Sequence, residues 1–164
     1  MVKNNIVVEG ARIGFRNFSG KEGQYNPKGR RNFCWFIDDD KLANKLIDDG
    51  WNVRTLTPRD EGAQPQPYLQ VAVNFDNIPP KIMLVTSRGK TSIEEDEVNM
   101  FDWVEITNVD LIIRPYNWEV NGKSGVKAYL KTMYVTIEED ELDQKYADTP
   151  DSAVNVIDDE DIPF

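Results

Sequence analysis

The chain has 164 residues, with 19 Lys and Arg against 29 Asp and Glu, no His and one Cys, and a formal net charge of −10. The lack of histidine excludes Cys/His zinc sites, histidine general bases and Ser-His-Asp triads together, and no cofactor or metal is expected. Cys34 alone excludes an intramolecular disulfide and fits a reducing, cytoplasmic setting, and no apolar run is long enough to span a bilayer.

Taken in order, the first stretch, residues 5–18, alternates at Ile6 and Val8 and then meets Gly10 and Gly14. Glycines inside a strand pattern predict a bend or bulge, as a small barrel needs to curl a long first strand. Residues 19–29 carry Gly20, Gly23, Pro27 and Gly29 and read as a loop. That loop bears Tyr25 and Lys28, and Arg30 and Arg31 follow it, so it is either a solvated surface or one rim of an anion-binding groove.

Residues 32–37, continuously apolar from Phe33 to Ile37, predict a buried strand. Asp38–Asp40 can cap a helix from Lys41 to Asp49, with Leu42, Ala43, Leu46 and Ile47 on one face and Gly50 closing it. Residues 51–56 suggest a short strand, and the Pro- and Gly-rich residues 57–67 a connection. Residues 68–75 alternate through Leu69, Val71, Val73 and Phe75 and form the clearest strand. Another strand is expected over 81–87.

Gly89-Lys90-Thr91 looks like the end of a phosphate loop, but Leu84 stands where that motif needs its first glycine. The segment reads instead as a basic turn carrying Arg88 and Lys90. Thr91 and Ser92, with Glu94 and Glu95 three residues on, predict capping boxes and a short acidic helix to about Met100. Residues 104–120 hold the longest strand region, with Pro115 marking an edge or a bend. Asn121-Gly122 signals a hairpin whose loop extends through residues 123–125, and residues 126–137 return.

Strand parity places Arg114, Tyr116 and Trp118 on one face, and Lys127, Tyr129 and Lys131 on one face of the returning strand. Aromatic rings interleaved with bases make a poor core and a good groove for unpaired bases and phosphates. The competing reading packs Trp118 and Tyr129 into a second small core, with the cations snorkelling out. Trp35, Trp51 and Trp103 are assigned to the main core. The predicted body, residues 1–137, is therefore mostly β: an OB-fold-like Greek-key barrel with one or two short helices, or an α+β sheet domain.

Residues 138–164 hold eleven acids and one base, Lys145, so the first 137 residues carry eighteen charges of each sign. The low pI belongs to this tail, whose composition predicts disorder, and leaves the neutral body free to bind an anion. The chain ends in Asp158, Asp159, Glu160, Asp161, Ile162, Pro163 and Phe164. An apolar ring at the end of an acidic arm suits a peptide that docks in a partner's pocket lined by bases. The plain alternative is an acid run that only solvates the chain.

This tip resembles the C-terminal ends of bacterial single-stranded DNA-binding proteins, which carry Asp-rich peptides closing in Ile-Pro-Phe. The resemblance implies that residues 158–164 recruit replication and repair proteins. The layout of the whole, a β body with basic hairpins and an acidic tail, resembles phage-type single-stranded DNA-binding proteins of OB fold. It implies sequence-nonspecific binding of single-stranded DNA in replication, recombination and repair, with homo-oligomerisation open. A strand-annealing recombination protein would bind the same ligand. An acidic DNA mimic would spread carboxylates over the folded body, which here is neutral. Catalysis is not expected, because the acid-x-Lys pairs Asp39-x-Lys41 and Asp143-x-Lys145 have no companion acid on an expected strand end.

Overall fold

The computed structural model describes residues 4–57, 62–76 and 78–139. The tip at 158–164, nearly all of the acidic tail and part of the 57–67 connection lie outside the described residues. The first stretch breaks into β1 (Ile6–Val8) and β2 (Arg12–Asn17), with Gly10 between them. A bulge follows Gly14, so the expected continuous strand is two short ones. β3 (Arg31–Phe36) leads into α1 (Asp40–Asp49). Asp39 caps this helix, its carboxylate accepting from the Lys41 N–H at 2.9 Å, and Gly50 closes it in the left-handed conformation. Asp39 thus has a structural task at the start of the helix.

β4 (Arg54–Leu56) is shorter than expected, because Trp51 makes only an isolated bridge to Val126. β5 (Gln66–Val73) starts two residues earlier than read, inside the expected connection, and stops before Phe75; β6 (Lys81–Thr86) follows as read to within a residue, and β7 (Gly89–Ser92) turns back on β6. The acidic helix predicted after Ser92 is displaced. Residues to Ser92 pair with β6, and only a 3₁₀ turn forms, over Val98–Asp102. The sheet ladder offers the backbone of Thr91 and Ser92 more than a capping box does. β8 (Ile106–Val120) and β9 (Lys123–Ile137) form a long hairpin. Asn121 (φ 52°) and Gly122 (φ 79°) alone make its turn, so residues 123–125 belong to β9 rather than to the loop.

The strands run β1-β8-β9-β5-β3-β2, with β4 beside β5 and β6 beside β9. β9 shares one edge between two parallel neighbours, β5 at Ala128 and Tyr129 and β6 from Thr132 to Thr136. β1 and β2, at the two ends of this path, are joined by only residues 9–11, so the sheet must curl on itself. The result is a mostly β, OB-like architecture. Pro115 lies beyond the three residues of β8 that pair with β1, on a stretch whose outer edge needs no donor.

Alternation sends Phe33, Trp35, Leu69, Val71, Val109, Leu111, Ile113 and Leu130 inward, all buried. Phe18 is the centre of an aromatic knot, stacked on Phe33 at 5.4 Å and edge-on to Phe101 at 5.6 Å. Trp35 and Trp51 are core residues as expected. Trp103 is not: it is 69% exposed. The 3₁₀ turn buries Val98 and Phe101, and Trp103 sits just past its end, where the chain leaves the core.

Candidate nucleic-acid interface

The β8–β9 register sets the site. Arg114 lies opposite Tyr129, Tyr116 opposite Lys127 and Trp118 opposite Gly125. Cross-strand partners share a face, so the aromatic and basic side chains read from parity do come together. The Arg114 guanidinium sits 4.8 Å from the Tyr129 ring centre and the Lys127 ammonium 5.2 Å from it. Tyr116 meets Tyr129 edge-on at 5.9 Å. Tyr116 and Trp118 remain 52% and 38% exposed, too open for a second core. Among the described residues Arg114 Nε is buried without a hydrogen-bond partner, a donor whose desolvation an anionic acceptor would offset.

A groove of about 710 Å³ runs beside this face. One wall is the 25–31 loop, with Tyr25, Arg30 and Arg31; the other is the hairpin, with Trp118, Lys127 and Tyr129. Tyr25 is 91% exposed and reaches into open solvent. Arg31 is less available than Arg30, because its guanidinium donates to Glu95 at 3.2 Å and lies 5.7 Å over Phe75. Lys28 is exposed on the same loop but does not line the groove. Arg88 and Lys90 stand apart, on the β6–β7 hairpin.

Lys131 departs from the parity reading. Ile112 pairs with Thr132 and Ile113 with Leu130, so Lys131 is the extra residue of a bulge in β9. It is exposed but does not continue the Lys127–Tyr129 row, and beyond it the alternation is reset. Val126, Ala128 and Leu130 are buried before the bulge, Met133 and Val135 after it. Tyr134 therefore points outward, with Lys81 at 5.6 Å and Lys90 at 6.0 Å from its ring centre. Simple parity puts Tyr134 on the face opposite Tyr129, which is why sequence reasoning missed it.

Phe36, Phe15 and Arg12 were missed too. The row Tyr129, Ala72, Asn32 crosses β9, β5 and β3, and Phe36 is on that same face of β3. Arg12 lies 4.9 Å over Phe36 and Phe15 meets it edge-on at 5.9 Å. Phe15 holds φ at 47°, a conformation unfavourable for an aromatic residue, and it remains exposed. Among the described residues no group of three metal-ligating side chains gathers, and no helix is long and apolar enough to cross a membrane.

The OB-like sheet thus carries a groove lined by aromatic and basic side chains. The model of the phage ssDNA-binding domain family matches residues 1–163, and the chain belongs to that family. Its fold is similar to that of the single-stranded DNA-binding protein from bacteriophage Enc34 in complex with ssDNA (TM-score 0.56, 12% identity, covering 83% of this chain and 88% of that one). A second structure of the single-stranded DNA-binding protein from bacteriophage Enc34 gives a TM-score of 0.54 at 12% identity, covering 83% and 82%. The single-stranded DNA-binding protein gp2.5 of bacteriophage T7 gives 0.42 at 11% identity, covering 91% and 96%. No curated protein sequence matches the chain.

Proposed function

We propose that the protein binds single-stranded DNA without sequence preference through the groove between the 25–31 loop and the β8–β9 hairpin. The observation that carries this reading is Arg114: a cation held over Tyr129, beside Lys127, with a buried donor that has no partner among the described residues. Phosphates answer the cations, and unpaired bases have faces that Tyr116 and Trp118 can stack on. The family match and the likeness in fold to a phage protein solved with ssDNA support the ligand class. Residues 1–137 serve as the DNA-binding unit and 138–164 as its acidic tail. In replication, recombination and repair, the tip at 158–164 recruits partner proteins.

Titrating fluorescent oligonucleotides at several salt concentrations tests the binding. Single strands should be strongly preferred over duplex, with log affinity falling by about 0.7 per neutralised phosphate against log salt. Equal affinity for duplex, or no salt dependence, overturns the groove.

A further inference from the structure

We propose that Tyr134, Lys81 and Lys90 form a second single-stranded DNA contact, reached by the strand as it runs along the outside of β9 from Tyr129. The proposal rests on the groove reading above. Its observation is a repeated chemistry. Arg114 and Lys127 bracket Tyr129, and Lys81 and Lys90 bracket Tyr134 in the same way.

Five positions separate the tyrosines, an odd number that turns two side chains of a regular strand to opposite faces. The Lys131 bulge absorbs one position and brings both to the outer face. The parallel pairing of β6 to β9 begins at Thr132, directly after the bulge, and delivers Lys81; the β6–β7 hairpin delivers Lys90. Among the described residues neither lysine has a carboxylate partner. The acid opposite Tyr134 is Asp110, and its carboxylate is engaged by the Gly10 N–H at 2.8 Å. At the rise of a strand the two stations are roughly 13–16 Å apart, so an oligonucleotide just long enough for one leaves the other empty.

The test uses the full chain and oligothymidylates of about three and about twenty nucleotides, bracketing the site sizes usual for such folds. K81Q/K90Q changes two exposed lysines and should leave melting unaltered. Y134L, checked by its melting curve, removes the ring. With the long strand, K81Q/K90Q should lower the salt slope by about 1.4, and Y134L should weaken binding about tenfold. With the short strand, both variants should bind within about twofold of the parent, while R114Q/K127Q loses affinity for both lengths. Parental affinity and slope of K81Q/K90Q for the long strand, beside a loss in R114Q/K127Q, overturn the second station and leave the groove intact. Equal losses at both lengths also overturn it, because the two sets of residues would then be one site. Unchanged binding of both lengths by R114Q/K127Q is instead the failure of the groove itself.

Discussion

Trp118 keeps its place because residue 125 has no side chain. A Cβ at Gly125 would fall 2.8 Å from Trp118 Cζ2, nearer than real contacts allow, so Gly125→Ala must push the indole off the strand. If that ring stacks on a base, Gly125→Ala and Trp118→Ala should each weaken single-strand binding, by up to about 1–3 kcal/mol, with little change in melting temperature. Parallel binding and melting curves separate this from a packing role, in which stability falls and affinity of the folded protein does not. Cys34 gives a second prediction at this scale. Burial pushes its thiol up to about 11 from 9.0, against a smaller opposite pull from Arg54. The folded thiol stays protonated at neutral pH and should resist alkylation until the protein unfolds. Because its folded pKa lies above the unfolded value, its contribution to stability is complete below pH 9.0 and is lost as pH rises toward about 11. Denaturation midpoints of the parent and Cys34→Ala between those pH values check the sign: the parent should lose more.

At the scale of elements, Asp102 ties the basic loop to the body. Its carboxylate accepts from the Phe18 N–H, the Ser19 N–H (3.1 Å) and the Ser19 hydroxyl (2.6 Å), joining the start of the loop to the 3₁₀ turn. Asp102→Ala leaves two backbone donors without this acceptor and should cost about 1–3 kcal/mol of stability. The loop carrying Tyr25 and Arg30 should then exchange its amide hydrogens faster, and single-strand affinity should fall through the added ordering cost. Unchanged exchange across residues 19–30 would show that the clamp does not hold the loop. The hairpin shows where sequence was legible and where it was not. Residues 111–118 announce a strand and its two faces through local alternation. The Lys131 bulge lies where the edge of β9 passes from β5 to β6, a long-range pairing with no local signature.

For the whole molecule, the question is what the acidic tail does to a basic groove. β9 ends at Ile137, and Glu139 accepts from the Ser87 N–H at 2.7 Å and the Ser87 hydroxyl at 2.6 Å. The tail therefore starts beside the turn of the β6–β7 hairpin. We propose that the acids of residues 138–164, tethered to the body, compete with DNA for its cations. Deleting residues 158–164 should raise single-strand affinity modestly at low salt, and the difference should vanish at high salt where screening removes the competition. Removing Phe164 alone should abolish capture of replication and repair proteins from host extract while leaving most of the competition. If the same partners are still captured without Phe164, the tail only solvates the chain.

The sequence by itself determined the features that rest on local chemistry. These are the mostly β body, the helix capped from within Asp38–Asp40, the faces of residues 114–118, the inward set of Leu69, Val71 and Val73, and the confinement of net charge to residues 138–164. Period, capping and charge are properties of neighbours along the chain. Tertiary structure decided the rest. It paired Thr91 and Ser92 into β7 where capping boxes predicted a helix, and it left Trp103 outside the core. It brought the 25–31 loop opposite a hairpin some ninety residues away, and turned Tyr134 to the face of Tyr129. Each of these depends on which strand edge pairs with which and where one extra residue is accommodated. Those choices are made by contacts distant in sequence, and no pattern within a single segment encodes them.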